Sequence, residues 1–192
     1  MIREWAGTGR LSLPLAEIKK GLAQKGCICD LSKSMAPFLP FVMEFVLSFA
    51  AAHRTVRVFG FADSLEEITR RIDPADVKRS AEAVCTGARV VRRGLTDYGN
   101  AFRGFFRHHR NEITGKTTVI VVGDARNNNF ASEAHLLGEI GGMSAGVYWL
   151  NPESRDFWGM GDSYMKAYIP FCKGVFECRN IQQLRKFMEL LA

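Results

Sequence analysis

The sequence lacks any apolar run long enough to span a membrane, and its amino terminus lacks the order of basic, apolar and small residues that defines a signal peptide. It also lacks collagen-like and low-complexity repeats. Membrane-spanning, fibrous and disordered classes are therefore excluded. Because 47% of the 192 residues are hydrophobic and 24% are charged, we expect one globular domain, located in the cytoplasm.

Cysteine is sparse. The five cysteines are an odd number and lack the short, even spacings of a disulfide-stapled secreted domain, so we expect reduced thiols. Cys27 and Cys29 would share one face of a strand as small buried residues. Cys172 and Cys178 are candidate zinc ligands, although no nearby residues complete a set of four ligands.

No stretch of the chain concentrates its positive charge. The net charge is +6 and the isoelectric point is about 9.2, but the basic residues are scattered. This distribution argues against a dedicated nucleic-acid binder. No Ser/His/Asp or Cys/His set that could support nucleophilic catalysis is evident either.

The hydrophobic pattern alternates between strands and helices. It predicts a first strand ending at Asp30, further strands at 55–61, 116–123, 145–150 and 175–178, and a polar edge element at 63–72. Helices are predicted at 37–53, 74–85 and 132–140, from Asp97 onward, and after Asn180. This order is typical of an α/β, Rossmann-like, doubly wound and mainly parallel sheet flanked by helices. We expect residues 1–25 to be an amino-terminal extension, with Leu15, Ile18 and Leu22 on one helix face, and residues 26–192 to be the domain.

Oxygen donors follow two of these strands and precede one helix. In open α/β sheets, ligands bind where such strands end. The set is Asp30, Ser32, Ser34, Thr96 and Asp124. Hard oxygen ligands suit Mg²⁺, with Mn²⁺ or Ca²⁺ as alternatives. If the hydroxyls are direct ligands and the carboxylates hold waters behind them, the ion is short of negative charge and would accept a Glu or Asp from a protein partner.

The same residues carry a resemblance. Asp-x-Ser-x-Ser at 30–34, Gly-x-Thr-Asp at 94–97 and Gly-Asp at 123–124 resemble the metal-ion-dependent adhesion site (MIDAS) of von Willebrand factor A (VWA) domains. The stretches 29–35, 122–128, 149–153 and 175–180 are similar to the bacterial CoxE-like branch. The resemblance implies a VWA fold in which Ser32, Ser34 and Thr96 ligate the metal directly, and Asp30 and Asp124 act directly or through water.

The resemblance also implies a function. CoxE-like proteins resemble non-catalytic adaptors, often for MoxR-type AAA+ ATPases, and one is linked to maturation of a metalloenzyme. Two features of this chain depart from the family pattern. Lys33 stands where many A domains have glycine, so its charge either points away or weakens metal binding. CoxE-like proteins usually have a longer upstream region, so residues 1–25 are either a docking arm or the stub of that region.

Two other functions remain open. Asp30 and Gly123-Asp124 also resemble haloacid-dehalogenase-type phosphatases, but Ser32 stands where those enzymes have a second Asp as the general acid/base. The alternative without metal is a structural domain with a degenerate site, in which Ser32 and Ser34 only cap a helix.

Five further residues and one loop allow either a functional or a structural role. Asp97 is either a ligand or, as we favour, a charge at a helix amino terminus. His108 and His109 are expected to be solvated. Arg126 would either steer an acidic ligand toward the metal or satisfy loop carbonyls. Trp158 and the loop 159–162 would serve either packing or recognition.

Overall fold

The computed structural model describes residues 24–52, 55–73, 75–87 and 95–191. It forms a six-stranded sheet with helices on both faces, which confirms the predicted α/β, Rossmann-like architecture. The strands are β1 (Lys25–Asp30), β2 (Val56–Phe61), β3 (Leu65–Glu67), β4 (Thr118–Val122), β5 (Gly146–Asn151) and β6 (Gly174–Glu177). The helices are α1 (Leu39–Ala52), α2 (Val77–Gly87), α3 (Tyr98–His109), α4 (Ala134–Met143), α5 (Met165–Tyr168) and α6 (Ile181–Leu191).

The sheet order is β3-β2-β1-β4-β5-β6. All neighbouring strands run parallel except β3, which pairs antiparallel with β2 at the edge. The chain moves outward from β1 to β2 and then returns to place β4 on the other side of β1. The carboxyl ends of β1 and β4 therefore meet at the switch point of the topology, where open α/β sheets form a crevice.

Each face of the sheet has its own apolar core. The alternation along β1 directs Cys27 and Cys29 to the face covered by α1, α2 and α6, as predicted for these two cysteines. Ile28 points to the opposite face, which α3, α4 and α5 cover. Because the central strands are buried on both faces, they consist of nearly continuous apolar residues.

Several predictions on single segments are refined. The polar edge element is the short strand β3 followed by a 3-10 helix, Thr69–Arg71. The loop after β5 contains α5 and two 3-10 helices, and Trp158 packs in the core with 7% exposure. Cys172 and Cys178 belong to opposite cores, so they do not form a zinc pair. The helix predicted around Leu15, Ile18 and Leu22 lies outside the described residues.

Within the described residues, no helix combines the length and the apolar character needed to cross a bilayer.

Candidate metal centre

The first part of the centre is the turn that follows β1. Asp30 is fully buried at the end of the strand, and its Oδ1 accepts a 2.7 Å hydrogen bond from the backbone N–H of Ser32. The hydroxyl of Ser32 lies 3.1 Å from that of Ser34. Ser32 is buried whereas Ser34 is exposed, so the pair of hydroxyls leads from the interior to the surface.

The second part follows β4. In the sheet register Cys29 pairs with Val122, which places Gly123 beside Asp30. A Cβ atom at Gly123 would lie 2.9 Å from the Cβ of Asp30, so glycine permits this close approach. Asp124 comes next. It is 2% exposed, and its Oδ1 accepts a 2.9 Å hydrogen bond from the backbone N–H of Arg126.

Asp30 and Asp124 influence each other electrostatically. Burial, and then the charge of Asp124, raise the pKa of Asp30 to about 7, and hydrogen bonds from Ser32 and Tyr98 limit this rise. Burial also raises the pKa of Asp124, and this is opposed by contacts with the Ser34 hydroxyl and the Arg126 backbone. In the described part of the chain, neither carboxylate forms an ion pair with a basic side chain. The two carboxylates thus interact at close range, and the charge of Arg126 offsets only a small part of the effect of burial on Asp124.

Tyr98, at the start of α3, connects the two parts. Its buried hydroxyl donates a 2.7 Å hydrogen bond to Oδ2 of Asp30 and accepts a 3.0 Å bond from the backbone N–H of Ala125. Ala125 has a left-handed backbone, with φ of 63°, which is uncommon for a residue other than glycine. Its carbonyl accepts a 2.8 Å bond from Tyr164, so both of its backbone polar groups are satisfied.

Thr96 approaches the centre from the loop before α3. It is 4% exposed and lies two residues before Tyr98, which contacts Asp30 directly. Among the five predicted ligands, all of them described, the hydroxyl of Thr96 forms no hydrogen bond with the other four. Asp97 caps α3, because its Oδ1 accepts a 2.8 Å bond from the backbone N–H of Asn100. This supports the capping interpretation of Asp97 over ligation.

Two asparagines hold these loops together, and their role was not predicted. Oδ1 of Asn127 accepts a 2.6 Å bond from the backbone N–H of Tyr98, at the amino end of α3. Nδ2 of Asn128 donates a 3.1 Å bond to the carbonyl of Thr96. Asn128 and Asn129 both have positive φ angles, which asparagine tolerates better than most residues. The adjacent asparagines in a loop after a buried strand were the available sequence signal.

Arg126 does not point freely toward a ligand. Its guanidinium contacts Glu153 at 2.8 Å and 3.0 Å, and it contacts Asp162 at 2.9 Å. These acidic residues come from the loop after β5, and neither was predicted as a partner. Neither interpretation made from the sequence, a steering charge or a ligand of loop carbonyls, describes Arg126, which instead clamps one loop to another.

The structure also shows the surroundings of Lys33 and His109, for which the sequence raised expectations. Lys33 is exposed, and within the described residues it forms no ion pair with either carboxylate. His109 was expected to be solvated like His108, but its ring lies 4.7 Å from that of Phe59, and burial lowers its pKa. This correction follows from the turn of α3, which directs His109 toward the sheet.

The donor set fits a hard divalent cation. Two buried carboxylates with raised pKa values, which form no ion pair within the described residues, would be stabilised in their ionised form by a positive charge placed between them. The remaining donors are hydroxyls, which agrees with oxygen coordination. No group of three or more His, Cys, Asp or Glu residues with metal-binding geometry occurs in the described ranges, so a zinc or iron type of site is not formed there.

A search of curated protein sequences found no match. Solved structures do match in fold. They include a von Willebrand factor type A protein from Catenulispora acidiphila, with 15% identity and a TM-score of 0.58 over 88% of this chain and 42% of the other. A second is proximal thread matrix protein 1 from the mussel byssus with a zinc-occupied MIDAS motif, with 18% identity and a TM-score of 0.56 over 89% of this chain and 45% of the other.

A third similar structure is manganese-loaded TRAP protein from Plasmodium vivax, with 12% identity and a TM-score of 0.60 over 89% of this chain and 72% of the other. This chain thus spans less than half the length of the Catenulispora and mussel proteins. VWA domains are generally non-catalytic interaction modules. The family model described as VWA domain containing CoxE-like protein matches residues 22–187. Because that match covers most of the chain, the protein belongs to the CoxE-like family of VWA-domain proteins.

Proposed function

We propose that this protein is a metal-dependent protein-interaction module. A divalent cation, Mg²⁺ by preference, is bound by the hydroxyls of Ser32, Ser34 and Thr96, with Asp30 and Asp124 holding it directly or through water. The cation takes a carboxylate from a Glu or Asp of a protein partner. Mn²⁺ is the natural substitute, since it prefers similar oxygen ligands.

The observation that supports this proposal is the pair of buried carboxylates at the switch point. Asp30 and Asp124 are 0% and 2% exposed, burial raises the pKa of both, and the charge of Asp124 raises that of Asp30 further. Ionising both buried carboxylates is costly unless a cation is bound, because neither forms an ion pair within the described residues. The names of two similar structures, one zinc-occupied and one manganese-loaded, add support at the level of the fold.

The environment of Asp30 disfavours the phosphatase alternative. Both of its carboxylate oxygens accept hydrogen bonds, one from Ser32 and one from Tyr98, and the residue has no exposure. A nucleophilic carboxylate must reach its substrate with a free oxygen. Asp30 is therefore better suited to supporting a metal than to attacking a phosphate.

The cellular role that we propose is that of an adaptor for a MoxR-type AAA+ ATPase or of a factor in metalloenzyme maturation. The support for this role is the family membership alone. Because such an ATPase itself needs Mg²⁺, a chelator cannot test the adaptor's own site. Binding of the purified ATPase should instead be compared between wild type and Ser34→Ala in the same Mg²⁺ buffer, and equal binding would contradict the MIDAS-dependent role.

Metal binding is tested by thermal unfolding in EDTA and in millimolar Mg²⁺ or Mn²⁺. A ligand that binds only the folded state, at about 100 times its dissociation constant, adds roughly 2.7 kcal/mol of stability. In a domain of this size, that corresponds to a rise of roughly 5 to 10 °C in Tm. Ser34→Ala should abolish this rise. Because Ser34 is exposed but its hydroxyl contacts Ser32 and Asp124, the variant should lose only a small part of the wild-type Tm in EDTA.

Ser64→Ala is a matched control. Ser64 is also exposed, follows a strand of the same sheet, and donates to a neighbouring carboxylate, that of Asp63, at 3.0 Å. It lies outside the proposed ligand set, so its metal-dependent rise should equal that of wild type. A wild-type Tm that is the same in EDTA and in either metal would overturn the proposal in favour of a structural domain.

A further inference from the structure

Exposed apolar side chains are concentrated around the candidate metal centre. Of the seven large apolar residues that are exposed in the described part of the chain, four lie on loops at the carboxyl edge of the sheet. These four are Leu95, Phe130, Phe157 and Met160, with exposures of 60%, 40%, 51% and 56%. We call them the apolar rim. Single exposed apolar residues are ordinary, but a group on adjoining loops marks an interaction surface.

The loops that carry the rim are joined by hydrogen bonds. Asn128, two residues before Phe130, binds the carbonyl of Thr96, the residue next to Leu95. The backbone N–H of Asn127 donates a 3.0 Å bond to the carbonyl of Asp162, two residues after Met160. The rim is thus built on one connected set of loops, and this set also carries Thr96 and Asp124.

The arrangement of the loops gives the rim a direction across the sheet. The backbone of Asp97 is bonded to that of Ala62 after β2, which places Leu95 on that side of the centre. Phe157 follows β5, and its neighbour Arg155 is bonded to Glu177 at the end of β6. From β2 to β6 there are four strand spacings, or roughly 19 Å. An extended peptide covers that distance with about six residues.

The chemistry at the centre of the rim selects the occupant. A cation bound mainly by neutral hydroxyls attracts a carboxylate, and the apolar rim on both sides attracts apolar side chains. We propose that the partner presents a short extended segment in which one Asp or Glu is flanked on both sides by large apolar residues. This inference rests on the proposed function, because the carboxylate is attracted by the metal.

Selection from a library of random 12-residue peptides tests the proposal without knowledge of the partner. The full chain is immobilised in Mn²⁺, and bound peptides are eluted with EDTA. We expect the eluted sequences to be enriched in an acidic residue with large apolar residues on both sides. Replacing that acidic residue by its amide in a selected peptide should abolish binding, as measured by fluorescence polarisation.

Variants of the rim provide the second measurement. Burying two apolar side chains contributes a few kcal/mol to binding. The double variant Phe130→Ser/Met160→Ser should therefore bind the selected peptide more than about tenfold less tightly than wild type. Leu190→Ser is the matched control, because Leu190 is 57% exposed but lies in the last turn of α6, away from the loops. Its affinity for the peptide should stay within about twofold of wild type.

The contrary outcomes separate the two proposals. Acidic peptides without apolar enrichment, bound equally by the rim variant, would overturn the rim and leave the metal-dependent function intact. An absence of EDTA-eluted peptides would overturn the proposed peptide segment, and the Tm rise in Mn²⁺ would then decide separately whether the metal site of the proposed function stands. A metal-dependent dimer of the chain in light scattering, lost in the rim variant, would assign the rim to a second copy instead.

Discussion

The hydroxyl of Tyr98 donates a 2.7 Å hydrogen bond to Oδ2 of Asp30, although the two residues are 68 positions apart in the sequence. The same hydroxyl accepts a bond from the backbone of Ala125. One buried phenol therefore connects β1, α3 and the loop after β4, the three segments from which the proposed ligands come. We infer that Tyr98 positions Asp30 for the metal rather than contacting the metal itself.

Tyr98→Phe should weaken metal binding and stability together. The substitution leaves an oxygen of Asp30 and the N–H of Ala125 without a buried partner, which costs about 1–3 kcal/mol in the free energy of unfolding. Urea unfolding measures that loss of stability, and the rise in Tm on adding Mn²⁺ measures metal binding. We expect the rise to shrink by at least half.

Tyr168→Phe separates the two effects. Tyr168 is also fully buried, and its hydroxyl donates a 3.0 Å bond to the carbonyl of Ser132, away from the proposed ligands. This control frees one carbonyl, so it should lose less stability than Tyr98→Phe and keep the full rise in Mn²⁺. If both variants responded to the metal like wild type, Tyr98 would have only a structural role.

Gly123→Ala should also disturb the packing around the Tyr98 hydroxyl and lower stability. The added Cβ would lie 2.0 Å from the Tyr98 hydroxyl, so the phenol or the strand must move, at a cost of about 1–3 kcal/mol. Adding Tyr98→Phe removes the closest clashing atom. The double variant should therefore lose less stability than the sum of the single losses, by about 1 kcal/mol.

The control for this cycle is Gly142→Ala. A Cβ at Gly142 meets no atom within 4 Å, and the residue lies inside α4, so alanine should raise the free energy of unfolding slightly. Strict additivity of Gly123→Ala and Tyr98→Phe would show that the close contact is not what constrains position 123.

The pH dependence of stability provides a separate test of the interaction between Asp30 and Asp124. Burial and the charge of Asp124 raise the pKa of Asp30 to about 7, above its ordinary value of 3.8. Between those two values the folded protein holds a proton that the unfolded chain has released. In EDTA, the stability that this proton provides is therefore present at low pH and is lost as the pH rises to about 7.

We expect the pH dependence of stability to differ between wild type and Asp30→Asn. Relative to Asp30→Asn, which has no carboxyl group to titrate, wild type should lose stability in urea unfolding between pH 5 and pH 8 in EDTA. Saturating Mn²⁺ should remove that loss, because the metal binds the ionised carboxylates. Parallel pH profiles of the two proteins in EDTA would refute the raised pKa of Asp30.

The fold was predictable because its signals are local. The continuous apolar run of β4 and the amphipathic face of α3 each identify an element without knowledge of its neighbours. Asp30 and Asp124 were predicted to meet because parallel strands end at a common edge, and the structure places them side by side. Their binding of metal, with Ser32, Ser34 and Thr96, stays a prediction.

The contacts that support the site were not predictable, because they depend on packing between distant segments. Arg126 meets Glu153 and Asp162, which follow it by 27 and 36 positions. No local pattern distinguishes such a clamp from a free surface charge. The burial of His109 against Phe59 was missed for the same reason.

A buried lysine at the opposite edge of the sheet gives the last prediction. Lys25 shares the face of Cys27 and Cys29 and is 2% exposed. In the described part of the chain its ammonium has no hydrogen-bond partner, and it lies 4.4 Å from the centroid of the Phe49 ring. Burial lowers the pKa of Lys25 to about 8, and a smaller effect of Cys27 opposes this change. The lowered pKa reflects the cost of removing the ammonium from water.

Lys25→Met should therefore raise the free energy of unfolding at pH 7 by about 1 kcal/mol, because it replaces a desolvated charge with an apolar chain of similar length. Above pH 8 the folded wild type releases the Lys25 proton while the unfolded chain keeps it up to about pH 10.4. Wild type then gains stability relative to the variant, and the advantage of methionine should shrink between pH 8 and pH 10. Lys173→Met is the control, since Lys173 is exposed and lies over the Tyr148 ring at 5.9 Å. A loss of stability in Lys25→Met at pH 7 would instead show that the contact with Phe49 outweighs the desolvation of the ammonium.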